Sequence, residues 1–144
     1  MIESNKLRIG NLVETDSSEG NIKTVVEIKH KMASVKYIRT DTNEPHQSMV
    51  DYERLVPIEL TKEWLLKFGF NTEYKKGYIG IDVKHENGMT TDFVLSFPYR
   101  MGEWQTYFAW EFNNYMFQKI EHVHDLQNFF FALTGQELVF STEP

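Results

Sequence analysis

Residues 121–138 read EHVHDLQNFFFALTGQEL. Two histidines one residue apart beside an aspartate suggest a metal or catalytic site. Three consecutive phenylalanines suggest instead a helix whose work is to close a core. Val123, Leu126, Phe130 and Leu133 recur at i, i+3, i+7 and i+10, and Gly135 sits where a helix is expected to stop. The spacing therefore predicts a helix over 122–134. On a helix, positions two apart point about 200° away from each other, so His122 and His124 are not expected to share a metal ion. His122 and Asp125 have i, i+3 spacing, but no third ligand is defined nearby. His30, His46 and His85 fall in predicted turns without clustered partners. No metal or cofactor is expected. On the same wheel Phe131 lies beside His124 and Gln127, away from the apolar stripe. Either another element covers that side, or Phe131, His124 and Gln127 form a contact with a protein partner.

A second short helix is punctuated at both ends in LTKEWLLKFGF (60–70). Thr61 has an N-cap hydroxyl able to accept from first-turn backbone N–H groups. Leu60 and Leu65 have the spacing of a hydrophobic staple, and Glu63 stands near the positive end of the helix dipole. Gly69 can take the left-handed conformation that ends the helix and turns Phe70 back onto it. This predicts a helix at 61–68 with Trp64, Leu65 and Phe68 facing the core. It also marks a division near residue 60.

Before that division the pattern is β. LRIGNLVET (7–15), IKTVVEIKH (22–30) and ASVKYIR (33–39) are separated by turn clusters, and a polar loop, TDTNEPHQ (40–47), leads to SMVDYERLVPIEL. In the second run Ile22, Val26 and Ile28 are expected on one face, with Lys23, Glu27 and Lys29 on the other. Several short strands in under about 60 residues predict a small SH3-like β-barrel or a curled meander over 1–60. Beyond the first helix, YIGIDV (78–83) and MTTDFVLSF (89–97) flank Asn87-Gly88, a strong hairpin signal. WQTYFAWEF (104–112) and YMFQKI (115–120) flank Asn113-Asn114, a second one. Trp104, Phe108, Trp110 and Phe112 are expected on a buried face, with Gln105, Tyr107 and Glu111 on a wet one. ELVF (137–140) reads as a short closing strand. The expected fold class is α+β: a β-rich module at 1–60, then an antiparallel sheet with two helices at 61–144, the two forming separate modules or one compact domain.

With 144 residues, 41% hydrophobic and 15% aromatic, the chain has the material for a core. The net charge of −6 argues against a general nucleic-acid coat, which needs a positive surface. There are no cysteines, which excludes thiolate chemistry and Cys-ligated metals. No apolar run approaches the roughly 18 residues needed to span a bilayer, and MIESNKLRIG has no secretory pattern. A cytoplasmic protein with no membrane association is expected. No Gly-rich phosphate loop, G-x-S-x-G or H-E-x-x-H is present, so no catalytic residue is assigned and the chain is read as not an enzyme.

One local basic stretch runs against the acidic background. Lys23, Lys29, Lys31, Lys36 and Arg39, opposed by Glu27 and flanked by Tyr37, would form a positive strip on adjacent strands for nucleic acid or an acidic partner. A normally solvated sheet face is the plainer reading. The second unusual feature is aromatic density: twelve of the 35 residues from Phe97 to Phe131 are Phe, Tyr or Trp.

Three stretches together, LRIGNLV (7–13), PIELTKEWLLKFGF (57–70) and VHDLQNFFFALTGQEL (123–138), resemble a family of small phage- and prophage-type proteins of Bacteroidetes-type bacteria, of unassigned activity. They cover about 37 of 144 residues, and the resemblance carries no site residues to transfer. What it implies is a mobile-element context. A non-enzymatic binding protein is then expected, with a host protein or nucleoprotein as partner. By association this includes inhibitors of host defence nucleases, such as anti-CRISPR proteins. The alternative is a nucleic-acid-binding phage module using the basic strip; a small enzyme is a third.

Overall fold

The computed structural model describes residues 1–17, 21–75, 78–100, 103–104, 107–112 and 115–140. The fold is α+β, with mostly antiparallel sheets and two helices. The chain divides into two compact units, Met1–Glu59 with His122–Asn128, and Leu60–Glu121 with Phe129–Pro144. The long C-terminal helix thus contributes its first turns to one unit and its last to the other. Among the described residues no helix is long and apolar enough to cross a membrane.

In the first unit β1 (Leu12–Thr15), β2 (Lys23–Ile28), β3 (Met32–Ile38), β4 (Pro45–Asp51) and β5 (Leu55–Val56) form one antiparallel sheet in the order β4-β3-β2-β1-β5. Strand β4 begins inside the stretch expected to be a polar loop. Its residues from Pro45 to Asp51 pair one-for-one with β3, because ladder bonds need only backbone and an edge strand tolerates Pro at its start. Ile2, Leu7, Val13, Val25, Ala33, Val35, Val50 and Leu55 make the core. Val25 is directly opposite Val35, so the inward face of β2 carries Val25 and Lys23, the reverse of the expected facing for Lys23. A bulge after Val25 shifts the parity, so that Ile28 lies opposite Ala33 on that same face.

The first turns of α2 (Val123–Thr134) are tied to this unit by amide side chains. Gln127 Oε1 accepts from the Leu12 N–H at 2.8 Å and its Nε2 donates to the Gly10 carbonyl at 3.1 Å. Asn11, fully buried, donates to Asn128 Oδ1 at 2.8 Å and accepts from the Arg8 N–H at 2.7 Å. Gly10 permits the close turn because its φ is +97°. Val123 and Leu126 are buried in the same unit.

In the second unit α1 (Lys62–Lys67) forms as expected. Thr61 Oγ1 accepts from the Trp64 N–H at 3.4 Å. At its other end Gly69 N–H reaches the Leu66 carbonyl and Phe70 N–H the Leu65 carbonyl, both at 3.0 Å. This paired capping pattern requires the left-handed φ of +86° that Gly69 adopts. Trp64, Leu65, Phe68 and Phe70 are buried. β6 (Asn71–Lys75), β7 (Tyr78–Lys84), β8 (Thr90–Ser96), β11 (Phe108–Phe112) and β12 (Tyr115–Ile120) form the sheet β12-β11-β8-β7-β6, with β9 (Tyr99–Arg100) and β10 (Glu103–Trp104) pairing separately. The β7–β8 hairpin turns at Asn87-Gly88 as expected, with Asn87 Oδ1 accepting from the Met89 N–H at 3.0 Å. The predicted Asn113-Asn114 turn and Gln105 lie outside the described residues. Phe93 is the centre of the aromatic core, with ring contacts to Phe70, Trp110, Phe129 and Phe130.

Two expectations fail here. ELVF forms no strand; Leu138 is buried and Phe140 packs on Trp64 at 5.2 Å instead. Leu133, assigned to the core stripe, is 49% exposed, although Phe130 one turn earlier is buried.

Candidate functional site

Most members of the proposed basic strip do not act together. Lys29 pairs with Glu27 at 3.5 Å, and Arg39 makes two bonds to Asp41, at 2.6 and 3.0 Å. Each positive charge thus meets a carboxylate two residues away. Lys31 and Lys36 are exposed, on the β2–β3 turn and on the outward face of β3.

Lys23 is different. Its side chain is only 4% exposed. Its ammonium donates to Thr15 Oγ1 at 3.0 Å and lies 5.0 Å from the centre of the Tyr37 ring. Burial pushes the Lys23 pKa down, and the charge of Glu14 offsets part of that. Lys23 and Tyr37 line an open pocket of about 360 Å³ with Thr15, Ser17, Asn21 and Arg54, against a wall from Ser48 to Val50. Arg54, which the sequence reading passed over, stands in the 3-10 turn after β4, with Nε held by Asp16 at 3.0 Å. Nothing in the local sequence marks it, since a lone Arg in YERLV reads as a solvated charge.

The C-terminal cluster also differs from expectation. His122 precedes the first helical turn, so the helical wheel does not govern it, and its ring stacks on that of His124 with centroids 5.6 Å apart. Both reach Asp125: His122 Nδ1 at 3.0 Å and His124 Nε2 at 3.3 Å. Desolvation lowers the His124 pKa, Asp125 opposes that, and His122 and Lys6 add to it. His124 and Gln127 are 3% and 2% exposed, so they are interior groups rather than partner contacts. The amide network to Gly10 and Leu12 is the element that covers that side of the helix. Phe131 is the outward member of the trio. Among the described residues no group of three or more His, Asp or Glu is arranged to hold a metal.

The sequence reading placed Phe112 in the core, yet it is 61% exposed. Burial falls along β11, from Phe108 (buried) through Trp110 (half-buried) to Phe112. The hairpin pairs Phe112 with Tyr115, itself 71% exposed, and a register shift makes Phe117 the extra residue between Met116 and Gln118. Phe117 is 57% exposed, its ring 5.3 Å from Trp110. Along β12 only Ile120 is buried. β12 is the edge of its sheet, so among the described residues its outer backbone groups pair with no further strand. An apolar, aromatic edge of this kind is what proteins ordinarily blunt or cover.

Comparison of the chain with protein-family models, with curated proteins and with solved structures returns no match.

Proposed function

We propose that this chain is a non-enzymatic binding protein of phage or prophage type that occupies a basic surface on a host nucleic-acid-handling protein. The target class is a host defence nuclease such as a CRISPR effector, met in the cytoplasm. One observation carries the reading: the edge strand β12 and its partner's end present Phe112, Tyr115, Met116 and Phe117 to solvent. An exposed edge can accept an extended segment as a sixth strand, with main-chain bonds giving affinity and aromatic side chains giving specificity. Aromatic anchors of this type dominate interface energetics. The net charge of −6 favours a basic partner and speeds its approach. On this reading the first unit is a small SH3-like module, consistent with its five short antiparallel strands.

The test mixes the purified chain with purified CRISPR effector nucleases and measures complex formation and target cleavage. Binding and inhibition are expected for the wild type, with both lost in Tyr115→Ser/Phe117→Ser. Turnover of a substrate by the chain, failure to bind or inhibit any effector, or undiminished binding by the folded double variant would overturn the reading.

A further inference from the structure

We propose that His124 makes the docking of the first turns of α2 acid-sensitive: a proton added to its buried ring releases residues His122–Asn128 from the rest of the first unit. His124, Gln127 and Asn128 are three and four residues apart, so they share one side of the helix. That side docks through amides. Gln127 holds the Leu12 N–H and the Gly10 carbonyl. Asn128 donates to the Lys6 carbonyl at 2.7 Å and accepts from Asn11 Nδ2 at 2.8 Å and from Arg8 Nε at 3.3 Å. Amide bonds of this kind do not change with pH. His124, 3% exposed on the same side, is the member of the row whose charge can change near neutrality.

The ring suits one neutral arrangement. Its Nε2 lies 3.3 Å from Asp125 Oδ1, so the carboxylate selects the tautomer with the proton on Nε2 and leaves Nδ1 a bare lone pair. Nδ1 is buried, and among the described residues it is the one buried side-chain nitrogen or oxygen with no hydrogen-bond partner. A second proton can go only there. The new N–H then finds no acceptor among the described residues, and a buried cation with an unmatched donor is far costlier than an unmatched lone pair. Asp125, the one carboxylate of α2, is already shared, because His122 Nδ1 lies 3.0 Å from its Oδ2 and the His122 ring stacks on that of His124. In the 3-10 turn Ser4–Lys6, Lys6 is held by Glu3 at 3.6 Å; Arg8 stands in the segment that follows, and Glu59 joins His122 in a backbone bridge. Burial weighs most against the charged ring, Asp125 opposes that, and His122 and Lys6 add to it. The neutral ring therefore fits the docked helix, and the charged ring fits a released one whose imidazole reaches water. The docked state takes up this proton less readily, so docking is intact above about pH 6.5 and weakens as pH falls below it. Release also uncovers Val123 and Leu126, both fully buried.

The full chain is followed from about pH 7.5 to about pH 5 by backbone amide hydrogen exchange, expressed as protection relative to the unfolded chain at each pH, and by the ring resonances of its histidines. On acidification the protection of the Leu12 N–H, the donor to Gln127, should fall by about tenfold or more. The fall should keep step with titration of the His124 ring, while the Val35 amide of the same unit stays protected. His124→Gln and His124→Asn should each abolish the fall, and His122→Asn should retain it. Constant Leu12 protection across the range, a fall that persists in either folded neutral variant, or one that follows the His122 ring overturns the proposal. Should neither neutral variant fold, the wild type decides alone: a His124 ring that titrates while the Leu12 amide stays protected overturns it. The experiment involves no partner and no residue of β12, so its outcome is independent of the docking proposal.

Discussion

In the first unit an ammonium sits inside, at one end of a sheet face built on Val13, Val25, Val35 and Val50; in the second, three aromatic rings stand outside, on a hairpin whose sheet packs Phe93 among other rings. Both placements run against the partition of residues between water and core. They differ in what each one needs to become favourable. The ammonium of Lys23 is met inside the unit, by the Thr15 hydroxyl at 3.0 Å and the Tyr37 ring at 5.0 Å. The exposed edge of β12 calls for apolar area and backbone partners, a macromolecular requirement. The inner cation is thus met within its own unit, whereas the aromatic rings of the edge face solvent.

The contrast between aromatic rings inside and outside the second unit can be measured first, where the effect is largest. Phe93 is buried and holds four other rings, so Phe93→Ala should cost about 3–5 kcal/mol through lost contacts and the cavity left behind. Urea denaturation of the two proteins checks it. A loss below about 1 kcal/mol would mean that the ring cluster is not the centre of that core.

The buried charge of the first unit predicts a change of opposite sign. Lys23→Met keeps the aliphatic stem, removes the desolvated ammonium, and should raise stability by about 1 kcal/mol. Because the folded-state pKa of Lys23 lies below its ordinary value of 10.5, the wild type loses stability as pH falls through 10.5 towards the folded value. It should therefore gain on the variant as pH rises into that window. Parallel pH-dependent melts compare the two, and a variant less stable than wild type throughout would show that the ammonium is held for the fold's own sake.

Which parts of this were legible in the sequence follows from how local each signal is. Thr61, Glu63 and Gly69 act within one short helix, and Asn87-Gly88 acts within one turn, so their consequences could be read directly. The α+β class followed from the same signals. The facing of Lys23 could not, because one bulge in β2 changes the parity and nothing in IKTVVEIKH announces it. Phe112 and β12 were misjudged for a related reason: alternation identifies a face but not how far along the strand the core extends. Asn11 and Gln127 are 116 positions apart in sequence, and the network that buries them exists only once α2 meets the turn at Gly10. The pocket depends on residues from four strands and a 3-10 turn, so no single stretch displays it.

His124 offers a smaller effect in the first unit, again from a buried basic group. Its folded-state pKa is depressed below 6.5 by burial, with Asp125 opposing and His122 and Lys6 reinforcing. The stability contribution is fully present above 6.5 and declines as pH falls below it, because the unfolded chain takes up the proton more readily. His124→Asn should flatten this part of the stability profile between about pH 6.5 and pH 5. Melting temperatures across that range test it, and an unchanged slope would assign the acid sensitivity to other groups.

Least of all should change when Phe117 is replaced by threonine. The residue is 57% exposed and sits at the register shift of an edge strand, where its main contact is the Trp110 ring at 5.3 Å. Threonine, like phenylalanine, favours extended backbone, so the change in unfolding free energy should stay within about 0.5 kcal/mol. Partner binding should respond quite differently: an aromatic anchor at the centre of an interface is worth about 2 kcal/mol or more, roughly thirtyfold in affinity. Denaturation and calorimetric titration against a bound effector would place the two numbers side by side. If Phe117→Thr lowers stability by as much as it lowers affinity, the ring belongs to the fold and β12 is merely an edge. A variant that is as stable as wild type and fails to bind locates the interface at that strand, because nothing else about the molecule has been altered.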